Sequence, residues 1–441
     1  MESTFNMPLW VSIPFLIMLL AIAVGPLILG KWWDKNKNKL LVSIILSIPV
    51  VVYMLDNGLS TNLANTVVHD YVPFIILLGS LFIITGGIHV SGDIKATPRN
   101  NVLFMGIGYV LAAFMGTTGA AMLLIRPMIN TNQERKYITH TMLFFIAAIA
   151  NCGGLLTALG DPPLFMLYLR GAEFSWFFTL FPEWAFTGVL LLSIYYFVDR
   201  YYYKKEEWID LAEDSIQQEP IRVTGNINFL FLLGVILAVA FINKGNIPAM
   251  EQENTPIWLE YIREIILVIL AALSLYYTKS EVRKNNSFSW TPITEVACLF
   301  LGIFVTMSPA LIWLANNAVS FGVTEPRQFL YASGVLSSFL DNTPTAVAFY
   351  DLARGLVTGG IPPFLSESIR VAGVPEILLK AICVGSVFFG SMTYIGNGPN
   401  FMVKSIAEER GIKMPSFFAY MFKFSLIVLL PIYIIVQLIF I

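Results

Sequence analysis

The sequence predicts an all-α polytopic membrane protein: two inverted-topology repeats, each with a re-entrant helical hairpin and a broken transmembrane helix, about ten spans plus two hairpins. Three observations lead there. Of 441 residues, 56% are apolar and 13% charged, against about 25% charged in an ordinary soluble domain. Apolar blocks such as Trp10 to Leu29 and Phe174 to Val198 are too long for core helices. Polar breaks in the remaining blocks recur in the same order in both halves of the chain.

Uninterrupted spans fall near 9–30, 40–55, 71–90, 174–198, 226–243, 262–278, 291–315 and 416–440. The blocks 101–130, 137–170, 328–357 and 375–410 are apolar but broken by Gly, Pro, Asn, Asp or Thr. Lipid tolerates such breaks only where protein or a water-filled cavity covers the freed backbone groups, so function is expected there. The residues before Trp10 carry no basic segment and no cleavage site follows, so the first apolar block is expected to remain as a span.

Orientation follows from Lys and Arg in short loops. Lys31, Lys35, Lys37 and Lys39 follow the first span, whereas the N-terminus and 57–68 carry none. The N-terminus is therefore expected outside and the first loop in the cytoplasm, in a multi-pass protein of a bacterial inner (plasma) membrane. Lys95 and Arg99 precede block 101–130, and Arg135 and Lys136 follow it. A block with both ends on one face is a re-entrant hairpin, turning at Gly116-Thr117-Thr118-Gly119. The hydrophilic stretch 199–225 is a cytoplasmic linker that separates the repeats 1–198 and 226–441. Alternation leaves both ends of 328–357 outside, so the second hairpin enters from the opposite face.

Self-comparison supports the duplication. Val110 to Thr118 aligns with Val335 to Thr343, and Thr157 to Phe165 aligns with Thr393 to Phe401. Helix breaks expose N–H groups at one cut end and C=O groups at the other. The side chains beside them decide what binds. These are Asn151, Gly153, Gly154, Thr157 and Asp161 at the first broken helix, and Ser391, Thr393, Asn397 and Asn400 at the second. At the hairpin tips they are Thr117 and Thr118, then Asp341, Asn342, Thr343 and Thr345. Hydroxyls, carboxamides and carboxylates are hard oxygen ligands suited to small cations. Asn151, Asp161, Asp341, Asn342 and Asn397 are the sodium-ligand candidates.

Asp161 and Asp341 ionise. A carboxyl at membrane depth is costly to leave charged and unpaired, so either a proton or a cation satisfies it. The competing reading is structural: Asp161 before Pro162-Pro163, and Asp341 at its tip, can each cap a half-helix. His69 and His140 lie near span ends, where interfacial placement is the default. His89 sits at the cytoplasmic end of the third span, with a proton-path role as its alternative reading. Asp56, Glu183 and Asp351 also fall near span ends, where exposure is expected.

Other classes are excluded or unsupported. Twenty-seven Lys+Arg against 29 Asp+Glu give a net charge of -2, without the basic surface that nucleic acid requires. Cys152, Cys298 and Cys383 lie far apart in apolar stretches and read as small core residues. No HExxH, GxSxG or P-loop signature occurs, so no enzyme is expected. Beyond Na+ or H+ as coupling or transported ions, no cofactor is expected. The partners are the lipid bilayer and a small ion or organic anion.

At these residues the sequence resembles the ion transporter superfamily, which includes sodium/proton antiporters of the NhaD type, arsenite permeases and citrate and dicarboxylate carriers. Asp341-Asn342-Thr343-Pro344-Thr345 looks like the Asp/Asn-Asn-x-Pro hairpin tip of the first two branches. Thr157-Ala158-Leu159-Gly160-Asp161-Pro162-Pro163 looks like the unwound segment after the first hairpin. The resemblance implies that Thr117, Thr118, Asn342 and Thr343 face the substrate, with Asp161 and Asn397 across from them. It also implies a homodimer, by likeness to the carboxylate carriers. Those carriers read Ser-Asn-Thr at both tips; here the first is Gly116-Thr117-Thr118 and the second begins with Asp341. A carboxylate there repels an organic anion unless protonated or covered by a cation. The expected function is therefore secondary active transport by alternating access, with sodium/proton antiport ahead of Na+- or H+-coupled uptake of citrate or a related anion. An arsenite-type permease or channel stands third.

Overall fold

The computed structural model describes residues 6–216, 218–252, 255–359, 363–366 and 368–441. Residues 1–5, assigned to the outer face above, lie outside the described residues. The main helices are α1 Ile13–Ile28, α2 Asn36–Asp56, α3 Ser60–Thr85, α4 Pro98–Met115, α5 Thr117–Thr131, α6 Thr139–Ala148, α7 Pro162–Leu169 and α8 Phe181–Tyr203. After α9 (Trp208–Ile216) come α10 Ile227–Phe241, α11 Ile262–Tyr277, α12 Thr291–Asn316, α13 Pro326–Phe339, α14 Asn342–Gly359, α15 Glu376–Phe389, α16 Gly398–Glu409 and α17 Phe417–Phe440. Among the described residues, six helical stretches are long and apolar enough to cross a membrane, and two shorter apolar helices accompany them.

Among the described residues the protein is all-α apart from two small antiparallel pairs. The larger joins β1 (His89–Asp93) to β2 (Glu219–Thr224), tying the approach to the first hairpin to the central linker. This corrects the expected extent of the third span. It begins at Ser60, well before residue 71, and stops at Thr85, because Gly86-Gly87 breaks the helix and the chain enters β1.

Side-chain periodicity shows what each helix faces. On α2, Leu41, Ile44, Ile45, Ile48, Val52 and Leu55 recur at helical spacing and are all exposed. An apolar stripe of that size on a soluble protein would be an aggregation surface; against acyl chains it costs nothing. The opposite face buries Ser43, Val50 and Met54 against α12.

Packing sorts the helices into two groups. The uninterrupted helices α1, α2, α3, α10, α11 and α12 pack on one another, chiefly as α2 on α12 and α3 on α11. The hairpins α4–α5 and α13–α14, the broken helices α6–α7 and α15–α16, and the long helices α8 and α17 form the other group. The groups meet where α5 lies on α3 and α14 lies on α12.

The loops rich in Lys and Arg gather at one end. Asn36 Nδ2 donates to Thr291 O at 3.0 Å, Lys39 pairs with Glu295 at 2.6 Å, and Thr139 Oγ1 donates to Lys413 O at 3.1 Å. At the other end, His69 Nδ1 bonds to the Tyr261 hydroxyl at 3.1 Å and Trp176 Nε1 donates to Glu376 at 3.0 Å.

Candidate functional site

The two polar breaks are built alike, atom by atom. After α6 the chain makes a 3-10 turn over Cys152–Leu156 and then extends at Thr157 (φ -137°, ψ 161°). After α15 the turn is Gly390–Met392 and Thr393 extends at φ -139°, ψ 169°. The Thr157 hydroxyl donates to Ala113 O on the first hairpin and accepts from Leu159 N at 3.1 Å. The Thr393 hydroxyl donates to Ser338 O on the second hairpin and accepts from Ile395 N at 3.2 Å. In both breaks the chain folds back on itself at glycine: a Cβ on Gly160 would sit 2.0 Å from Gly154 O, and one on Gly396 would sit 2.5 Å from Gly390 O. Each second half-helix then starts from an extended residue, Asp161 (φ -143°, ψ 143°) or Asn397 (φ -143°, ψ 140°).

The hairpin tips differ more. The first turns at Gly116, whose φ of 82° lies in the region that favours glycine, and Thr117 N is bonded to Gly160 O at 2.8 Å. The second turns through Leu340 and Asp341. Asp341 Oδ1 accepts from Thr343 N at 2.9 Å and Thr345 Oγ1 donates to Asp341 O at 3.0 Å, so this carboxylate caps α14.

Asp161 does not cap its helix. Pro162 and Pro163 supply no N–H for it, and its side chain makes no cap bond. The buried carboxylate turns to the centre, accepting from Thr117 Oγ1 at 2.7 Å, Asn342 Nδ2 at 2.9 Å and Asn397 Nδ2 at 3.3 Å. Both hairpin tips and the other broken helix therefore converge on one oxygen pair. Asn397 Nδ2 also faces Asn151 Oδ1 at 3.2 Å, and Asn151 Nδ2 donates to Asn400 Oδ1 at 2.7 Å. Asn400 in turn donates to Gly390 O at 2.8 Å and Thr393 O at 2.9 Å, closing the second break.

The structure thus brings together Thr117, Asn151, Asp161, Asn342, Asn397 and Asn400. Thr157, Thr345 and Thr393 spend their hydroxyls on backbone carbonyls. Thr343 Oγ1 is buried without a partner in the structure. Ser391 turns away to Tyr433 Oη at 2.6 Å, and Gly153 O accepts from Trp184 Nε1 at 2.9 Å.

A cavity of about 100 Å³ opens beside this centre, lined by Thr117, Thr118, Asp341 and Asn397 from one group of helices and by Leu78, Phe82, Val296 and Phe300 from the other. That is room for a few waters or a small hydrated ion, well below the roughly 300–1,000 Å³ of a drug-sized ligand pocket. Neither Lys nor Arg lines it. A smaller cavity of about 20 Å³ shares Phe82, Gly119 and Pro292 with it and reaches Asn286–Ser289 at the lysine-rich end. Among the described residues, no three His, Cys, Asp or Glu cluster as a metal site.

Three expectations are corrected. His140 is buried, not interfacial: its Nε2 lies 2.8 Å from Asp199 Oδ1 in a network with Arg135 (2.7 Å) and Asn101 (3.1 Å). Glu183 is 2% exposed, and Asp351 is half-buried, 3.6 Å from Arg170. These pairings join residues distant in sequence, and span-end position alone does not disclose them.

Two hairpins and two broken helices that meet at a polar centre inside a bundle of apolar helices belong to a polytopic membrane transporter. A family model described as "Putative citrate transport" matches residues 4–441, and the chain belongs to that family. It is also similar to an uncharacterized transporter of Synechocystis sp., 22% identical over 289 residues, or 61% of this chain. The match spans 61% of that relative's length.

Proposed function

We propose that this protein is a secondary active transporter that exchanges Na+ for protons by alternating access, with Asp161 as the group that takes either ion. One observation carries the reading: the Asp161 carboxylate is buried among three neutral donors, with neither Lys nor Arg lining the adjoining cavity. A negative charge so placed at membrane depth is satisfied by a proton or by a small cation. Thr117, Asn342 and Asn397 carry oxygens as well as donors, so rotation of these side chains gives Na+ hard oxygen ligands beside the carboxylate. Asn151 holds Asn397 in place, and Asp341 faces the same cavity while capping α14.

The two breaks are read as equivalent parts of inverted repeats 1–198 and 226–441, so that the site lies near the midplane and either face can reach it. The lysine-rich end is read as cytoplasmic.

A second reading, coupled uptake of citrate or another organic anion, is favoured by the family description. The Asp161 carboxylate beside a cavity that neither Lys nor Arg lines, and the small volume of that cavity, weigh against it. Proteoliposomes with a preset pH gradient discriminate. Antiport predicts that Na+ or Li+ dissipates the gradient and citrate does not. Accumulation of labelled citrate without cation-driven dissipation would replace the first reading by the second.

A further inference from the structure

We infer that Arg170 is a gate residue, locking the two groups of helices together at the end opposite the lysine-rich loops, and that the structure is closed at that end. The inference rests on the transporter reading above. Arg170 follows α7 in the hairpin-bearing group. Its Nη1 lies 3.5 Å from Asp70 Oδ1 on α3, which belongs to the uninterrupted group, and its Nη2 lies 3.6 Å from Asp351 Oδ2 on α14. One guanidinium thus bridges the boundary on one side and its own bundle on the other. Arg354 also acts on Asp351, and the Arg170 guanidinium lies over the Tyr350 ring.

Two further contacts close the boundary at the same end. Arg263 Nη1 on α11 donates to Tyr168 Oη on α7 at 3.0 Å, and that hydroxyl donates to Val239 O on α10 at 2.8 Å. Gly355 on α14 packs so tightly on α12 that a Cβ would sit 2.2 Å from Ala315 O. The boundary holds cavities towards both ends: those beside Asp161 towards the lysine-rich end, and one of about 270 Å³ at the Arg170 end, lined by Asp70, Tyr168, Arg263 and Glu264, which shares no lining residue with the cavity beside Asp161. The site is therefore shut on the Arg170 side, where the larger cavity does not reach it. Exchange of sides requires Asp70 and Arg170 to separate. Arg170 keeps Asp351 when they do, so its charge is never left unpaired in a partly buried place.

Leu77 reports on this motion. It lies two turns along α3 from Asp70 and one turn before Leu81, which lines the cavity, and it is 1% exposed. In full-length protein lacking Cys152, Cys298 and Cys383, Leu77→Cys is reacted with a membrane-impermeant maleimide from the face opposite the lysine-rich loops. Adding Asp70→Asn should raise the labelling rate about tenfold by shifting the population towards the open state, whereas Asp351→Asn should leave it within about twofold. An unchanged rate with Asp70→Asn, or an equal rise with Asp351→Asn, overturns the gate. If Asp70→Asn does not insert, Asp70→Cys with Arg170→Cys bridged by a short dithiol cross-linker should stop exchange reversibly; undiminished exchange after bridging overturns the gate instead. Labelling needs no transported ion, so a normal labelling pattern without Na+/H+ exchange sinks the ion assignment alone. Normal exchange with unresponsive labelling sinks the gate alone.

Discussion

Asn397 Nδ2 lies 3.3 Å from Asp161 Oδ1, although the two residues stand 236 positions apart and each begins the second half of a broken helix. They occupy the same place in two similarly built breaks, one carrying a carboxylate and the other a carboxamide. This pair of positions therefore holds one carboxyl where a symmetric duplication would hold two or none.

Asp161→Asn should abolish cation-driven proton movement while the protein still inserts, because the carboxamide keeps the shape and loses the charge. Asp341→Asn should retain exchange, since Asn caps a helix as well as Asp does. Asp341→Ala should cost about 0.5–2 kcal/mol of stability through the lost cap. Vesicle pH-gradient assays beside thermal melts in detergent check all three.

Thr157→Val and Thr393→Val should be nearly interchangeable in effect. Each removes a hydroxyl that donates to a hairpin carbonyl and accepts from a backbone N–H two residues on. Leaving these buried groups unsatisfied costs about 1–3 kcal/mol at either site. Unequal losses beyond that range would contradict the equivalence of the two breaks.

Asp199→Ala should destabilise by about 1–3 kcal/mol, because the buried Arg135 guanidinium loses its 2.7 Å partner and keeps only Glu206 at 3.5 Å as a counter-charge. Adding Arg135→Met should not recover that loss, since it leaves the buried Glu206 carboxylate without its cation. Melting temperatures of the single and double variants form the cycle.

Outside the membrane, burial pushes the Asp93 carboxyl from 3.8 up to about 6, helped by Glu134, Asp214 and Glu219 facing it. The folded state thus holds a proton that the unfolded state releases near pH 4. Stability from this group falls as pH rises from about 4 to about 6 and is not regained above it. Asp93→Asn should flatten that part of the stability profile and melt higher than the parent at pH 7. A parent profile that rises across the same window, unchanged by the substitution, would contradict this sign.

Much of the site was readable because lipid leaves few reasons for polar residues inside apolar blocks. Thr117, Asn151, Asp161, Asn342, Asn397 and Asn400 stand at or beside the breaks and are the residues that converge. The different fates of the two aspartates were not legible, since both positions read equally as caps or ion ligands. The structure separates them: Asp341 caps α14 through Thr343 N, whereas the Asp161 side chain makes no cap bond and turns to Thr117, Asn342 and Asn397. Other features depend on tertiary partners. His140 and Asp199 are 59 residues apart, and Arg170 and Asp70 are 100 apart. The strands β1 and β2 are only 5 and 6 residues long and pair across 130 residues, too short and too distant for periodicity to disclose.

The exchange of ions at Asp161 is tested most directly by proton release. Na+ is added to purified, weakly buffered protein in detergent, and the pH change is compared between the parent chain and Asp161→Asn. The account predicts acidification by about one proton per chain at saturating Na+, as expected when a cation displaces the proton of a single carboxyl, and none from Asp161→Asn. No release from the parent, or equal release from both, would contradict it.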